Sequence, residues 1–283
     1  TAETAQAGDE YMRIQQKIEA QDLQDLAYGT SGAKSVTVSF WVKSYQTGNY
    51  VVNFYSQDGS RQITRTYTVN ASATWEYKSV TIPGDTSGTI NNDNGAGIHL
   101  AFIVIADSGY TSTDSTSWIS YSDAGYGYGQ TVNLGSSTDN YWRITGVQLE
   151  VGSQATAFEH RNFGDELALC QRYYYRWTAG HTNRYAWMGM SYSTTTCFGI
   201  IKTFPVTMRA VPTCSVNGTY TPFGSDGSTS GHTAFSSDTI NISTVNEMAT
   251  NGWGGATGIQ EGGRPVVVLA SEADAYMDAS AEL

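Results

Sequence analysis

Five aromatic residues sit within one small, polar stretch of this 283-residue chain: Tyr110, Trp118, Tyr121, Tyr126 and Tyr128, in SGYTSTDSTSWISYSDAGYGYGQTVNLGSSTDN. Rings set among hydroxyls and amides can stack on the faces of sugars while their neighbours hydrogen-bond the sugar hydroxyls. Tyr, Ser, Gly and Asn are also the residues of adaptable binding loops. A connection of this length inside a compact domain is often functional. These five residues are therefore the candidate carbohydrate-binding set. A second reading stands beside it, in which the same rings close a sandwich or pack against a neighbouring subunit.

Catalytic chemistry has less to build on. Of the four histidines, His99 lies in an apolar segment and reads as packed or at a sheet surface. His160 adjoins Glu159, but neighbours on an extended chain point apart, and a structural salt-bridge cluster with Asp165 or Glu166 is the simpler reading. His181 and His232 complete the four. G-x-S-x-G, H-E-x-x-H and Walker A patterns do not occur. Asp107, Asp114 and Asp123 flank the aromatic stretch, but glycosidase chemistry needs two carboxyls about 5–9 Å apart. The repeat of a parallel β-helix is not found. No catalytic residue is assigned.

Metals and cofactors are not expected either. The loop NNDNG at Asn91–Gly95 lacks the ligand set of a dedicated calcium loop. Cys170, Cys197 and Cys214 are odd in number and show no C-x-x-C spacing, so zinc is not indicated. They read as free, mostly buried thiols of a protein assembled in a reducing compartment.

Composition narrows the partners. Formal net charge is -11, so the basic stripe that nucleic-acid phosphates require is missing. No apolar run of about 18 residues is found, and no membrane insertion is expected. Apolar residues make up 40% and charged residues only 14%. Gly, Ser, Thr, Asn and Tyr fill the difference, which favours half-buried strands over helices.

The elements that must carry the aromatic stretch are strands. Tyr11–Ile18 alternates, and Glu19–Leu26 suits a short helix that plugs one end of a sandwich. In Ser35–Ser44, Val36, Val38, Phe40 and Val42 share one face, opposite Thr37, Ser39, Trp41 and Lys43. Asn49–Ser56 follows, with Tyr50, Val52 and Phe54 in phase, and Asp58-Gly59 signals a hairpin. Ile63–Val69 and Trp75–Ile82 come next. Gly97–Ala106 is apolar on both faces, as in a central, covered strand. Tyr141–Val151 closes the set. Its phase breaks between Ile144 and Val147, and a bulge at Gly146 repairs it. Seven or eight antiparallel strands in about 150 residues is the pattern of a β-sandwich or jelly roll.

After this sandwich the chain reads QLEVG, TAFEHR and ELALCQRYY. Asn162 caps a short helix in which Leu167, Cys170 and Tyr174 would share one face. Gln148, Leu149, Glu150 and Gly152, then Thr156, Phe158, Glu159 and Arg161, then Glu166, Leu167, Cys170, Gln171, Arg172, Tyr173 and Tyr174 resemble a segment common in bacteriophage tail-fibre and related virion proteins. IQQKIEAQDLQDL and SVTVSFWVKS also look like the jelly rolls that precede that segment, which themselves resemble carbohydrate-binding modules. The resemblance covers most of residues 11–176. It implies a virion location, after assembly in the host cytoplasm, a homotrimer, contacts with other virion proteins and attachment to a host-surface glycan. It supplies no catalytic residue.

The expected fold is all-β. It comprises a jelly-roll sandwich over 1–155, a linker and short helix over 156–176, and a second antiparallel β domain over 177–283. In that last part Pro265–Ala270 and Ala275–Leu283 read as strands, Asn251–Gly263 as a glycine-rich turn, and few strands for so many residues suggest closure by a partner chain. The helix and the charged cluster Glu159–Arg161 are expected to fix the angle between the two domains. The function expected is host-surface recognition by a non-enzymatic virion fibre component. A purely structural virion role, as shaft, collar or decoration, is the alternative.

Overall fold

A computed structural model describes residues 10–178, 180, 184–191, 193–195, 197–198, 200–223, 237–241, 244–254, 265–270 and 274–282. The protein is all-β, with every strand pairing among the described residues antiparallel. It divides into a unit ending at His160 and a unit running from Arg161 to Glu282.

The first unit contains β1 (Tyr11–Glu19), β2 (Val36–Ser44), β3 (Gly48–Ser56), β4 (Arg61–Val69), β5 (Glu76–Ile82), β6 (Ala96–Ala106), the helical turn α1 (Ser108–Thr111), β7 (Ile119–Ser120) and β8 (Trp142–Val151). The larger sheet has the order β1-β6-β3-β4-β7, and the smaller β5-β2-β8. The two sheets share one core. Val36, Val38, Phe40 and Val42 of β2 are buried, as are Tyr50, Val52 and Phe54 of β3. Phe40 meets Tyr67 and Phe102 edge-on, with ring centroids 5.0 Å from each. A 3-10 helix over Ala20–Leu26 places Leu23 and Leu26 in this core, so the expected plug is present.

Alternation explains most of these strands, and the exceptions have causes. The β3–β4 hairpin closes through Gln57–Ser60, and the left-handed residue is Ser60 (φ 47°) rather than Gly59. In β8, Gly146 takes φ +59° where the pairing with β2 shifts register between Ser39 and Trp41. That bulge turns Ile144 and Leu149 to the same core, as the phase break required. On β2, Thr37 and Ser39 are polar yet buried. The chain after β8 folds back over them: Thr37 Oγ1 donates to Gly152 O at 2.8 Å, and Thr81 Oγ1 to Ser153 O at 3.2 Å.

This return explains the spacing of the QLE and TAFE motifs. Gln148 and Glu150 project from one face of β8, two residues apart. Glu150 accepts hydrogen bonds from the backbone N–H (3.0 Å) and the hydroxyl of Thr156. Gln148 Oε1 accepts from the Glu159 N–H at 2.7 Å. Gln148, Thr156 and the Thr156 backbone together hold the Glu150 carboxyl below its usual range.

The second unit begins with α2 (Phe163–Gln171) and β9 (Tyr174–Thr178). It continues through β10 (Arg184–Ser191), β11 (Cys197–Phe198), β12 (Ile200–Thr203), β13 (Thr213–Asn217), β14 (Tyr220–Phe223), β15 (Ser237–Asn241), β16 (Glu247–Gly254), β17 (Pro265–Ala270) and β18 (Tyr276–Ser280). One sheet runs β12-β16-β11-β10-β17-β14, with β15 on β16, and another β13-β18-β9. Strand β16 extends through Asn251 and Gly252, so part of the expected glycine-rich turn is strand; residues 224–236 and 255–264 lie outside the described residues.

Asn162 caps α2 by accepting from the Asp165 N–H at 2.9 Å. The helix stops at Gln171, so Tyr174 is on β9 and not on its face. None of its residues is buried: Phe163 is 82% exposed, Leu167 42% and Leu169 48%. Cys170 is a free, exposed thiol and Cys214 a free, half-buried one, against the expectation of burial for these two; the side chain of Cys197 lies outside the described residues. Burial, with Asp278 second, pushes the Cys214 thiol up to about 11. Arg161 pairs with Glu166 at 3.4 Å, both about half exposed, a geometry of little energetic weight.

In β9, Tyr175 and Trp177 pack on the core of this unit while Tyr174 and Arg176 face the other way. Arg176 donates to Asp278 at 2.7 Å and lies 3.8 Å from the centroid of Tyr276. Asp278 also accepts from Tyr174 and Ser215. The YYYR run thus alternates between a core and a polar anchor.

Candidate functional site

The aromatic connection does not hang free. It crosses the outer face of the larger sheet, whose residues alternate with those of the core. Across the strands this face reads Arg13–Ile103–Val51–Thr66, then Gln15–Ala101–Asn53–Thr64, then Lys17–His99–Tyr55–Gln62. Asn53, Gln62 and Thr64 are buried on it because they fasten the connection. Asn53 Nδ2 donates to Tyr126 O (3.1 Å) and Gln62 Nε2 to Ser122 O (2.7 Å). Thr64 N donates to Ser115 O (2.8 Å), and its hydroxyl lies 2.7 Å from that of Ser115. Each such bond satisfies a buried polar group that would otherwise be costly.

The GYGYG run has a steric reason. A side chain at Gly127 would put its Cβ 2.6 Å from the Cβ of Ala106, and Gly129 takes φ +96°. Glycine lets the backbone press onto β6 here, so that Tyr126 lies over the sheet. Tyr126 joins Val51, Ala101, Ile103 and Ala106 in a second small core, with Tyr110 against it.

The five candidate aromatics divide. Tyr110, Tyr121 and Tyr126 belong to one continuous chain of rings. Tyr11 bridges Tyr110 (4.6 Å) and Tyr126 (5.7 Å). Tyr121 joins Tyr126 (6.3 Å) to Tyr55 (4.8 Å), and Tyr55 meets His99 (5.2 Å). Within it Tyr126 is buried, while Tyr11 and Tyr121 remain about 40% exposed. Trp118 lies elsewhere. Its ring packs edge-on against Tyr28 and Phe54, and its indole N–H donates to Pro83 O at 2.7 Å. Tyr128 is half-buried and takes no part in the ring chain.

The ring chain adds residues that the pattern of the connection did not reveal: Tyr11, Arg13, Tyr55, Gln57 and His99. The signal lay in the strands. Tyr11 and Arg13 share a phase in β1, and Tyr55 sits opposite His99 in the β3–β6 register. The Arg13 guanidinium lies over Tyr11 (5.2 Å) and Tyr126 (5.0 Å) and donates to the Tyr126 hydroxyl at 2.6 Å. Burial, offset in part by Arg13, pushes the Tyr126 phenol up to about 12. His99 Nε2 lies 2.7 Å from Gln57 Oε1, an acceptor, so this nitrogen carries the proton; Nδ1 then accepts from Gln15 Nε2 at 3.1 Å. Burial, then the charges of Lys17 and Arg13, bring His99 down to about 4. It is a neutral donor at pH 7.

The flanking carboxylates serve local structure. Asp107 caps α1 through Gly109 N and accepts from Glu10 N. Asp114 accepts from the N–H and hydroxyl of Thr116, and Asp123 from the Tyr121 hydroxyl. In the NNDNG loop, Asn91 is held by Asp58, and Asp93 accepts from Gly95 N. Among the described residues no group of three or more His, Cys, Asp or Glu side chains converges as metal ligands would. A face of half-exposed tyrosines, rimmed by an arginine, a neutral histidine and amides, can stack on sugar rings and hydrogen-bond their hydroxyls.

No protein-family model matches the chain, and no curated protein matches it either.

Proposed function

We propose that this chain is a non-enzymatic virion fibre component that recognises a host-surface glycan through the outer face of the larger sheet. The observation that carries the reading is the ring chain from Tyr110 through Tyr11, Tyr126, Tyr121 and Tyr55 to His99, with its exposed rings beside polar side chains. The resemblance of the QLE–TAFE–CQRYY segment to phage tail-fibre proteins supports the virion setting and a homotrimer. Exposed Phe163, Leu167 and Leu169 on α2 are in keeping with burial by another copy or another virion protein.

The test is adsorption. The purified protein should bind host cells and compete with virus for attachment, and Tyr55→Ala with Tyr121→Ala should abolish that competition. Failure of the unmodified protein to bind cells or block infection would remove the recognition role.

A second reading is a purely structural virion protein. It is favoured by the engagement of Trp118 and Tyr126, which stabilise the sandwich rather than face solvent. Folded protein that assembles into particles while binding no host cell is the result that reading expects.

A further inference from the structure

We infer that the saccharide this face takes is acidic, its carboxylate seated on Arg13. The inference rests on the glycan-binding reading above and specifies its ligand.

Arg13 is a cation held in place on this face. Its guanidinium is held over the rings of Tyr11 and Tyr126 and fixed by the Tyr126 hydroxyl. Yet among the described residues no carboxylate pairs with it, whereas Arg61, Arg161 and Arg176 each have an acid partner. A guanidinium presents donors in a planar fork that matches a carboxylate, and aromatic stacking leaves the in-plane N–H groups to bind it. Among the described residues, only one of Arg13's donors is used internally. The chain as a whole carries a net charge of -11. A pre-positioned arginine with no acid partner among the described residues, on so acidic a protein, is the arrangement expected where an external anion completes the pair.

The surroundings fit a sugar acid better than a bare anion. The half-exposed rings of Tyr11 and Tyr121 offer apolar area that a small anion would not use. Asp123, at the Tyr121 end, would repel a second carboxylate but accept from a hydroxyl. The ligand is therefore expected to place its acid at Arg13 and its neutral hydroxyl face toward Tyr121.

The experiment uses the full chain on an array of acidic and neutral surface polysaccharides, each acidic member paired with its carboxyl-reduced form. Binding to acidic members that falls at least tenfold on carboxyl reduction, and equally with Arg13→Gln, supports the inference. Equal binding to native and reduced forms overturns it while leaving glycan recognition intact. Binding to no saccharide overturns both. The carboxyl-reduction comparison uses unmodified protein, so it stands even if Arg13→Gln disturbs the Tyr11–Tyr126 packing. Arg13→Lys, which keeps the charge but loses the fork, should recover only part of the affinity.

Discussion

Glu150 holds Thr156 at two points, accepting from its backbone N–H at 3.0 Å and from its hydroxyl. Six residues apart in sequence, they lock the end of β8 to the segment that folds back across β2. Removing the carboxylate leaves the return tethered by Gln148 alone on this side. Glu150→Ala should therefore raise amide exchange at Thr156 and Glu159 by about tenfold, the scale of one lost charge-assisted hydrogen bond. Hydrogen–deuterium exchange read by mass spectrometry measures this. Unchanged protection would mean that Gln148, Thr37 and Thr81 hold the return without Glu150.

Gly146 provides a backbone test. Its φ of +59° lies in the left-handed region, and a Cβ there would meet only Trp41 Cδ1 at 3.5 Å and Phe158 beyond. Space is thus available, and the cost of Gly146→Ala is conformational, about 1 kcal/mol. Urea denaturation should show a lower midpoint with an unchanged slope. A neutral result would place the bulge at another residue.

Trp118 and Tyr121 separate packing from recognition. Trp118→Ala empties a site against Tyr28 and Phe54 and leaves Pro83 O without its donor, so a loss of about 3 kcal/mol is expected in thermal or chemical unfolding. Tyr121→Ala removes a ring about 40% exposed and should cost less than about 1 kcal/mol of stability while reducing glycan or cell binding about tenfold. Equal effects of both variants on binding would place Trp118 in the recognition surface as well.

His99 and Glu76 shape the acid limb of stability. His99 is brought down to about 4 in the folded protein, against about 6.5 when unfolded. The unfolded chain takes up the proton first, so stability falls as pH drops from about 6.5 toward 4. Burial acts against ionised Glu76, but bonds from Lys78, Ala71 and Asn70 outweigh it and bring the carboxyl to about 2. Its contribution is present above about pH 4.5 and is lost as pH falls toward 2. Melting temperatures from pH 7 to 2 should show His99→Gln flattening the upper window and Glu76→Gln the lower one.

Assembly can be tested on α2. If its exposed apolar side chains are covered in a homotrimer, sedimentation of the full chain should give three times the 30.6 kDa protomer mass. Leu167→Asp should then shift the distribution toward monomer with little change in far-UV circular dichroism. A monomer at all concentrations would sink the trimer proposal.

Much of the first unit was legible because a half-buried strand writes its exposure into alternate residues. The β2 and β3 segments were readable this way, β6 by a run apolar on both faces, and the broken phase at Gly146 predicted a bulge that is present. Local patterns misled where they ended early or were overruled by pairing. The helical spacing that included Tyr174 ran past the end of α2, and the glycine-rich stretch at Asn251 was partly drawn into β16 by its neighbours. Asp58-Gly59 marked the hairpin correctly, but a four-residue closure moved the left-handed position to Ser60.

The class of fold, the capped helix and the ring-rich connection could be read from the residues alone. All three follow from residue type and short spacing. Tertiary structure decided which rings share a surface. Tyr11, Tyr55 and His99 are far apart in the chain and meet because β1, β6 and β3 pair in a particular register. Trp118 was drawn to the core edge by Tyr28 and Phe54, and Tyr126 was pressed onto the sheet where glycine allowed close approach. Strand register and loop closure depend on contacts between distant residues, and no short window of sequence carries them.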